Sequence, residues 1–324
     1  MKNNFVKKND KIFLAGHKGL VGSAFYEMLI NEGYSNIFTI EKKDLDLRRS
    51  EDVKSYLKQN SFDLVIIAAA KVGGVQANFL NSIDFFNDNI MIQNNLINYS
   101  YLNNINKLIF LGSSCIYPKN IKQPMKEEDL LTGQLEKTNE AYALAKISGL
   151  KLCNYYNIKY NTSYRCLMPT NLYGANDNFD VENGHVIPSL IKKFYNAEIN
   201  NTNVEIWGSG NAKREFLYVD DLADALSFVL NLDDDTFFLG DKVKTSHINI
   251  GTGYDISVKD LVSEINNFFN IKGKIDFNTK KLEGVKQKLL DVTKIKKMGW
   301  TSKTKLEDGL KYTIKSFRKN IETY

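Results

Sequence analysis

Cysteine is scarce in this chain. Only Cys115, Cys153 and Cys166 occur in 324 residues, and none stands at metal-ligand spacing from another cysteine or a histidine. An odd, unspaced set excludes a disulfide framework and a structural zinc, and leaves three free thiols and no bound metal as the expectation. No long apolar run is present of the kind that spans a bilayer, so no membrane partner is expected. Residues 1–10 are polar and lysine-rich, without the apolar stretch of a signal peptide, which makes the cytoplasm the expected location. No block of like charge interrupts the formal net charge of +5, so nucleic acid is not expected either, and a small anionic ligand suits the balance. Repeats and low-complexity linkers are also missing.

What is present is ordinary for a globular protein, with 43% hydrophobic and 25% charged residues. The length allows a large domain and a smaller lobe. Apolar runs at Lys11–Ala15, Asn36–Ile40, Asp63–Ala69, Lys107–Leu111 and Ser163–Met168 read as strands. Helical patterns fall between them at Ser23–Asn31, Asn78–Leu102 and Asn139–Tyr160. Strands alternating with helices imply an α/β fold, a Rossmann-type doubly wound parallel sheet. The rhythm breaks near Thr170. The expectation is a dinucleotide-binding domain over residues 1–170 with an interleaved segment at about 215–255. A smaller mixed α/β lobe would occupy about 171–214 and 256–324.

The first strand runs into Gly16-His-Lys-Gly19-Leu-Val-Gly22, and a helix follows. Glycines there let the chain turn tightly, approach a pyrophosphate and pack helix on strand, while the helix N-terminus presents N–H groups to phosphate. The dinucleotide is left open by charge alone. Glu41, ending the second strand, suits the ribose 2′-hydroxyl of NAD, whereas Lys42 and Lys43 suit the 2′-phosphate of NADP.

Glu140-Ala-Tyr142-Ala-Leu-Ala-Lys146 puts a phenol and an ammonium on one helix face, about 6 Å apart along the axis. A free tyrosine titrates near ~10; a cation about 4 Å away is worth roughly 4 kcal/mol at an effective dielectric of ~20, about three pKa units downward. The pair therefore makes a candidate proton donor. Leu111-Gly-Ser113-Ser-Cys115-Ile-Tyr-Pro118 follows the fourth strand, so its hydroxyls and thiol emerge at the carboxyl edge where such sheets bind ligands. Read alone, that segment has a polar turn as its lesser alternative, while Cys115 reads first as a small buried hydrophobe.

Together the glycine turn, the serine after the fourth strand and the Tyr-x-x-x-Lys pair resemble the extended short-chain dehydrogenase/reductase family. Ala68-Ala-Ala-Lys-Val-Gly-Gly74, Met168-Pro-Thr-Asn-Leu-Tyr-Gly174, Gly184-His-Val-Ile-Pro188 and Lys288-Leu-Leu-Asp-Val292 carry the likeness further, toward its branch of GDP-4-keto-6-deoxy-mannose epimerase-reductases. The resemblance implies an NADP-dependent oxidoreductase with isomerase activity. Ser113, Tyr142 and Lys146 would reduce C4, after Cys115 and His185 had exchanged protons at C3 and C5. It implies cofactor contacts at Gly16, Lys18, Gly19, Leu20, Val21, Gly22, Lys42, Asp46, Leu47, Ala69, Tyr142, Lys146, Pro169, Asn171, Leu172 and His185. Substrate contacts would come from Asn171, Val186, Lys193, Trp207, Arg214 and Lys288, and the chain would form a homodimer through Asn78–Leu102 and Asn139–Tyr160. No chemistry is expected of His17, His247, Cys153 or Cys166.

Some positions depart from the branch. Lys18 and Lys193 stand where relatives carry arginine, replacing a fork by a point charge. Gly184 replaces a small polar residue and promises extra freedom beside His185. A C4 reductase of another GDP-4-keto sugar, such as a heptose, with weak or no epimerase activity is therefore a second expectation. A non-catalytic nucleotide-binding module is a third.

Overall fold

In the computed structural model, which describes residues 5–241, 244, 247–281 and 284–322, the first apolar run becomes β1 (Lys11–Ala15), buried at four of five positions. It leads to α1 (Leu20–Asn31), β2 (Asn36–Phe38), α2 (Ser50–Asn60), β3 (Leu64–Ile67), α3 (Val75–Leu80), α4 (Ser82–Leu102), β4 (Lys107–Leu111), α5 (Glu140–Tyr160) and β5 (Ser163–Pro169). The chain continues through β6 (Asn171–Tyr173), α6 (Val186–Asn200), β7 (Val204–Trp207), β8 (Lys213–Tyr218), α7 (Val219–Leu230), α8 (Asp234–Phe237) and β9 (His247–Ile250). It ends with β10 (Asp255–Ser257), α9 (Val258–Asn266), β11 (Ile275–Asn278), β12 (Gln287–Lys288), α10 (Thr293–Met298) and α11 (Leu306–Glu322).

Six strands make a parallel sheet in the order β2-β1-β3-β4-β5-β9. Its central strands bury both faces, as the unbroken runs of Val, Ile, Leu and Phe require once helices cover each side. The turn in strand order lies between β1 and β3, so the loops after these strands open a crevice at the carboxyl edge. The second lobe is built on β8, which pairs with β10 antiparallel and with β12 and β6 in parallel. Its apolar core gathers Ile187, Ile191 and Phe194 of α6, Leu261 and Ile265 of α9, and Leu310 and Phe317 of α11.

The fold differs from the sequence reading at identifiable places. The helix expected over Asn78–Leu102 is broken at Asn81, whose side-chain amide donates to Ala77 O at 3.1 Å and whose backbone leaves the helical region. Helix α2 carries only two buried residues, Val53 and Leu57, too thin a stripe to stand out in the sequence. Strand β8, expected to belong in part with the large domain, joins the second sheet instead. Conversely Leu290, Val292, Ile295 and Trp300, expected in the small lobe, pack into the large core, because α10 lies against β9. The chain thus crosses between the two cores more often than one interleaved segment would allow. Among the described residues no helix is long and apolar enough to cross a membrane, and no cluster of His, Cys, Asp and Glu could hold a metal.

Candidate active site

A single cleft of about 1200 Å³ runs along the carboxyl edge of the parallel sheet and into the second lobe. The catalytic, cofactor and substrate positions implied by the resemblance all line it except Lys18, and of the cofactor candidates Glu41, Lys42 and Lys43 only Lys42 does. At one end, Gly16 has φ +92°, and a Cβ there would meet Ala69 N at 2.6 Å; one on Gly22 would meet Gly16 O at 2.0 Å. Both positions need glycine for the turn and the helix packing. Gly19 is different: a Cβ there would find no protein atom nearer than Gly16 O at 3.6 Å, yet the residue faces the cleft. The room kept there suits a ligand. No side chain caps α1 and no acidic residue stands in its first turn, so its leading N–H groups face the cleft unopposed by negative charge. These features fit a dinucleotide pyrophosphate.

Glu41 is not presented to a ribose. Lys18 and Lys43 (3.4 Å) both pair with it, and the Lys18 contact is what holds its carboxyl below the ordinary range. Lys18 thus pairs with Glu41 and lies outside the cleft lining. Lys42 remains exposed at the cleft. Asp46 is gripped by Arg48 (Nη2–Oδ2 2.6 Å), which pulls its pKa down to about 2, and Arg48 also reaches Asp88 at 3.1 Å. Arg48 lines the cleft and was missed, since nothing in its local spacing separates it from a surface arginine.

At the cleft's centre, Ser113 caps a short turn over Ser114–Ile116, its Oγ accepting from Cys115 N at 3.3 Å. Tyr142 and Lys146 rise from the first turns of α5. That helix packs closely because Gly149 leaves no room for a Cβ, which would meet Phe110 at 2.5 Å. Lys146 is 3% exposed, donates from Nζ to Leu111 O at 2.8 Å, and lies 5.7 Å from the Tyr142 ring centre. The expected depression of the Tyr142 pKa is not found. Burial raises it above the ordinary phenol value, and negative charge on Cys115 raises it further. The same burial lowers Lys146 to about 8. Desolvation outweighs the pair's attraction because the ammonium is turned to a carbonyl rather than to the phenol. The phenol consequently holds its proton, which is the form a donor needs.

His185 is the N-cap of α6 and is reached by solvent inside the cleft. Its pKa is lowered by the protein surrounding the ring and then by the charge of Lys288. Lys288 also feels Cys115, as do Tyr142 and Lys146. A cation thus stands within electrostatic reach of both the thiol and the imidazole. The loop before His185 is not loose, contrary to expectation. A Cβ on Gly184 would meet Asp180 O at 2.4 Å and Asn178 O at 2.6 Å, while Gly184 N donates to Asp180 O at 3.1 Å. Gly74 N binds Asn183 O at 2.8 Å, and a Cβ on Gly74 would strike Gly184 O at 2.4 Å. Glycine here serves close backbone packing rather than freedom.

In the second lobe, Lys193 donates to Glu205 O at 2.9 Å and lies 4.6 Å from the Trp207 ring centre; Lys281, unexpected from the sequence, lies 5.1 Å from the same ring. Arg214 on β8 stands opposite Lys288 on β12 in parallel register. Asn171 Nδ2 donates to Glu215 O at 2.8 Å, and Val186 is exposed at the cleft. An aromatic face flanked by two lysines, with Arg214 and Lys288 lining the same cleft and Lys288 in electrostatic reach of the thiol, suits a nucleoside diphosphate joined to a small polar group.

Known proteins agree with this geometry. The sequence profile of the NAD dependent epimerase/dehydratase family matches residues 12–251. A GDP-L-fucose synthase of Escherichia coli K12 is 44% identical over 315 residues, 97% of this chain and 98% of that protein. Among solved structures, a GDP-6-OMe-4-keto-L-xylo-heptose reductase from Campylobacter jejuni superposes with TM-score 0.93 at 35% identity, covering 98% of this chain and all of that one. A GDP-D-glycero-L-gluco-heptose synthase from the same organism, solved in the presence of NADPH, gives TM-score 0.90 at 35% identity over 97% of this chain and 99% of its own. The chain belongs to the NAD dependent epimerase/dehydratase family, within the extended short-chain dehydrogenase/reductases and among the relatives of GDP-L-fucose synthase.

Proposed function

We propose that the protein converts GDP-4-keto-6-deoxy-D-mannose to GDP-L-fucose, by epimerisation at C3 and C5 followed by reduction at C4. The observation that carries this reading is that two acid–base sets line one cleft: Ser113, Tyr142 and Lys146 beside Cys115 and His185. NADPH, where bound on the glycine turn, supplies the hydride that C4 receives. Lys42, exposed at the cleft, would meet its 2′-phosphate, and the pairing of Glu41 with Lys18 and Lys43 supports a preference for NADPH over NADH.

Ser113 and Tyr142 hold the C4 oxygen and oppose its negative charge, first as an enolate and then as an alkoxide. The C4 ketone acidifies the protons at C3 and C5, and inversion needs a base and an acid on opposite ring faces. Cys115 and His185 fill those roles, the histidine in its neutral form. Lys193, Trp207, Arg214 and Lys288 hold the GDP portion. Exposed Ile83, Leu102, Leu144, Tyr155 and Ile158 on α4 and α5 supply the apolar face of a homodimer; sedimentation at a single monomer mass would refute that assembly.

The second reading, a C4 reductase of a GDP-4-keto-heptose without epimerisation, draws support from the 0.93 superposition on a heptose reductase. One assay separates the two. With NADPH and GDP-4-keto-6-deoxy-mannose in deuterated water, we expect cofactor oxidation and GDP-L-fucose bearing deuterium at C3 and C5, with NADH a poorer donor. NADPH consumption without deuterium at either carbon would leave only the reductase.

A further inference from the structure

Glu215 is fully buried on β8, next to Arg214, and carries a carboxyl group where a charge is costly. Main-chain N–H groups compensate it. Gly253 N donates to Oε1 at 2.7 Å, Leu290 N donates to Oε2 at 2.9 Å, and Thr252 Oγ1 reaches Oε1 at 3.3 Å. The space it occupies is reserved, since a Cβ on Gly251 would lie 2.3 Å from Oε1. Thr252 and Gly253 follow β9, the last strand of the parallel sheet, while Leu290 lies two residues beyond Lys288. One carboxylate therefore joins the segment bearing Lys288 to the edge of the large sheet, from the strand that bears Arg214. The main-chain carbonyl of the same residue accepts from Asn171 Nδ2 at 2.8 Å and from Thr170 Oγ1 at 3.3 Å.

We propose that Glu215 is a positioning residue of the substrate site, setting Lys288 and Arg214 against the large sheet at the spacing of a diphosphate; this rests on the reading above that these two cations hold GDP. An acceptor-only carboxylate is what the site requires. A glutamine of the same shape would turn an NH₂ group toward one of the two main-chain donors, leaving it unpaired and pushing one segment away. The carbonyl bonds to Thr170 and Asn171 are untouched by that change, so the cofactor end of the cleft keeps its geometry.

Titration of GDP by calorimetry and of NADPH by fluorescence tests this on the full chain, with Lys288→Ala as the reference. For Glu215→Gln we expect the Kd of GDP to rise about tenfold, as the loss of one charge-assisted contact implies, with the Kd of NADPH unchanged. Gly251→Ala, which displaces the carboxylate without removing it, carries the same expectation and serves if the first variant does not fold. GDP binding lost in Lys288→Ala but retained in Glu215→Gln and Gly251→Ala would overturn the proposal alone. Equal weakening of GDP and NADPH would overturn it too, as the mark of general unfolding. A wild-type chain that binds no GDP would overturn the substrate assignment itself.

Discussion

Tyr142→Phe is expected to lower C4 reduction by about three orders of magnitude, in the middle of the range for a positioned general acid, while NADPH still binds. The loss is one hydroxyl at a place where the surrounding packing is otherwise kept: the ring stays edge-on to Phe85, with centroids 6.5 Å apart. On the proposed mechanism the alkoxide forming at C4 would then have no proton to take and would lose one of two hydrogen-bond donors. Burial keeps the phenol protonated in the unliganded protein, so donation depends on charge brought close during the reaction. Lys146 is the fixed cation for that task. Its pKa lies near 8, below the usual lysine value because the ammonium is desolvated. The ammonium is therefore present below about pH 8 and lost as pH rises through it. We expect kcat/KM for NADPH, which reports the free enzyme, to fall on that alkaline side. Near-normal turnover by Tyr142→Phe would remove the phenol from the mechanism, and a flat profile to pH 9 would remove the Lys146 charge.

The parts of this site that could be read from sequence are those written in short stretches. The glycine turn, Tyr142 with Lys146, and the Ser113–Cys115 segment each declare themselves within one strand–loop–helix unit, because local spacing and sheet polarity decide where they point. Contacts between distant segments left no such trace. Charge alone leaves Glu41 and Lys42 as rival cofactor contacts, and the pairing of Glu41 with Lys18, 23 residues earlier, is invisible in local sequence. Gly184 looked free, whereas Asp180, Asn178 and Gly74 enclose it. Arg48 and Lys281 sit in plain-looking loops and Glu215 inside a short strand, and only the meeting of segments far apart in the chain gives them a role. The pKa of Tyr142 departs from the sequence expectation for the same reason: its spacing to Lys146 is visible in the sequence, but the depth of burial and the Leu111 carbonyl are not.

Cys115→Ser is expected to separate the two reactions proposed for the cleft. Serine differs from cysteine by one atom at a buried position, so little packing is lost, but its hydroxyl is far harder to ionise than a thiol of reference pKa ~8.5. Proton removal beside the C4 ketone slows accordingly. Lys146 and Lys288 lie within electrostatic reach of the sulfur and would meet the negative charge it develops; a hydroxyl that does not ionise gains nothing from them. Hydride acceptance at C4 is proposed to rely on Ser113 and Tyr142, which the substitution leaves in place. The expected result in deuterated water is a fall of about 10²-fold or more in exchange at C3 and C5. NADPH oxidation should slow much less, and the product should be a reduced 6-deoxyhexose without solvent deuterium. The main-chain N–H of residue 115 still donates to Ser113 Oγ in the variant, so the serine should stay poised for C4. Equal loss of exchange and reduction would mean that the thiol only supports the turn beneath Ser113, and His185 would then have to find its partner elsewhere in the cleft.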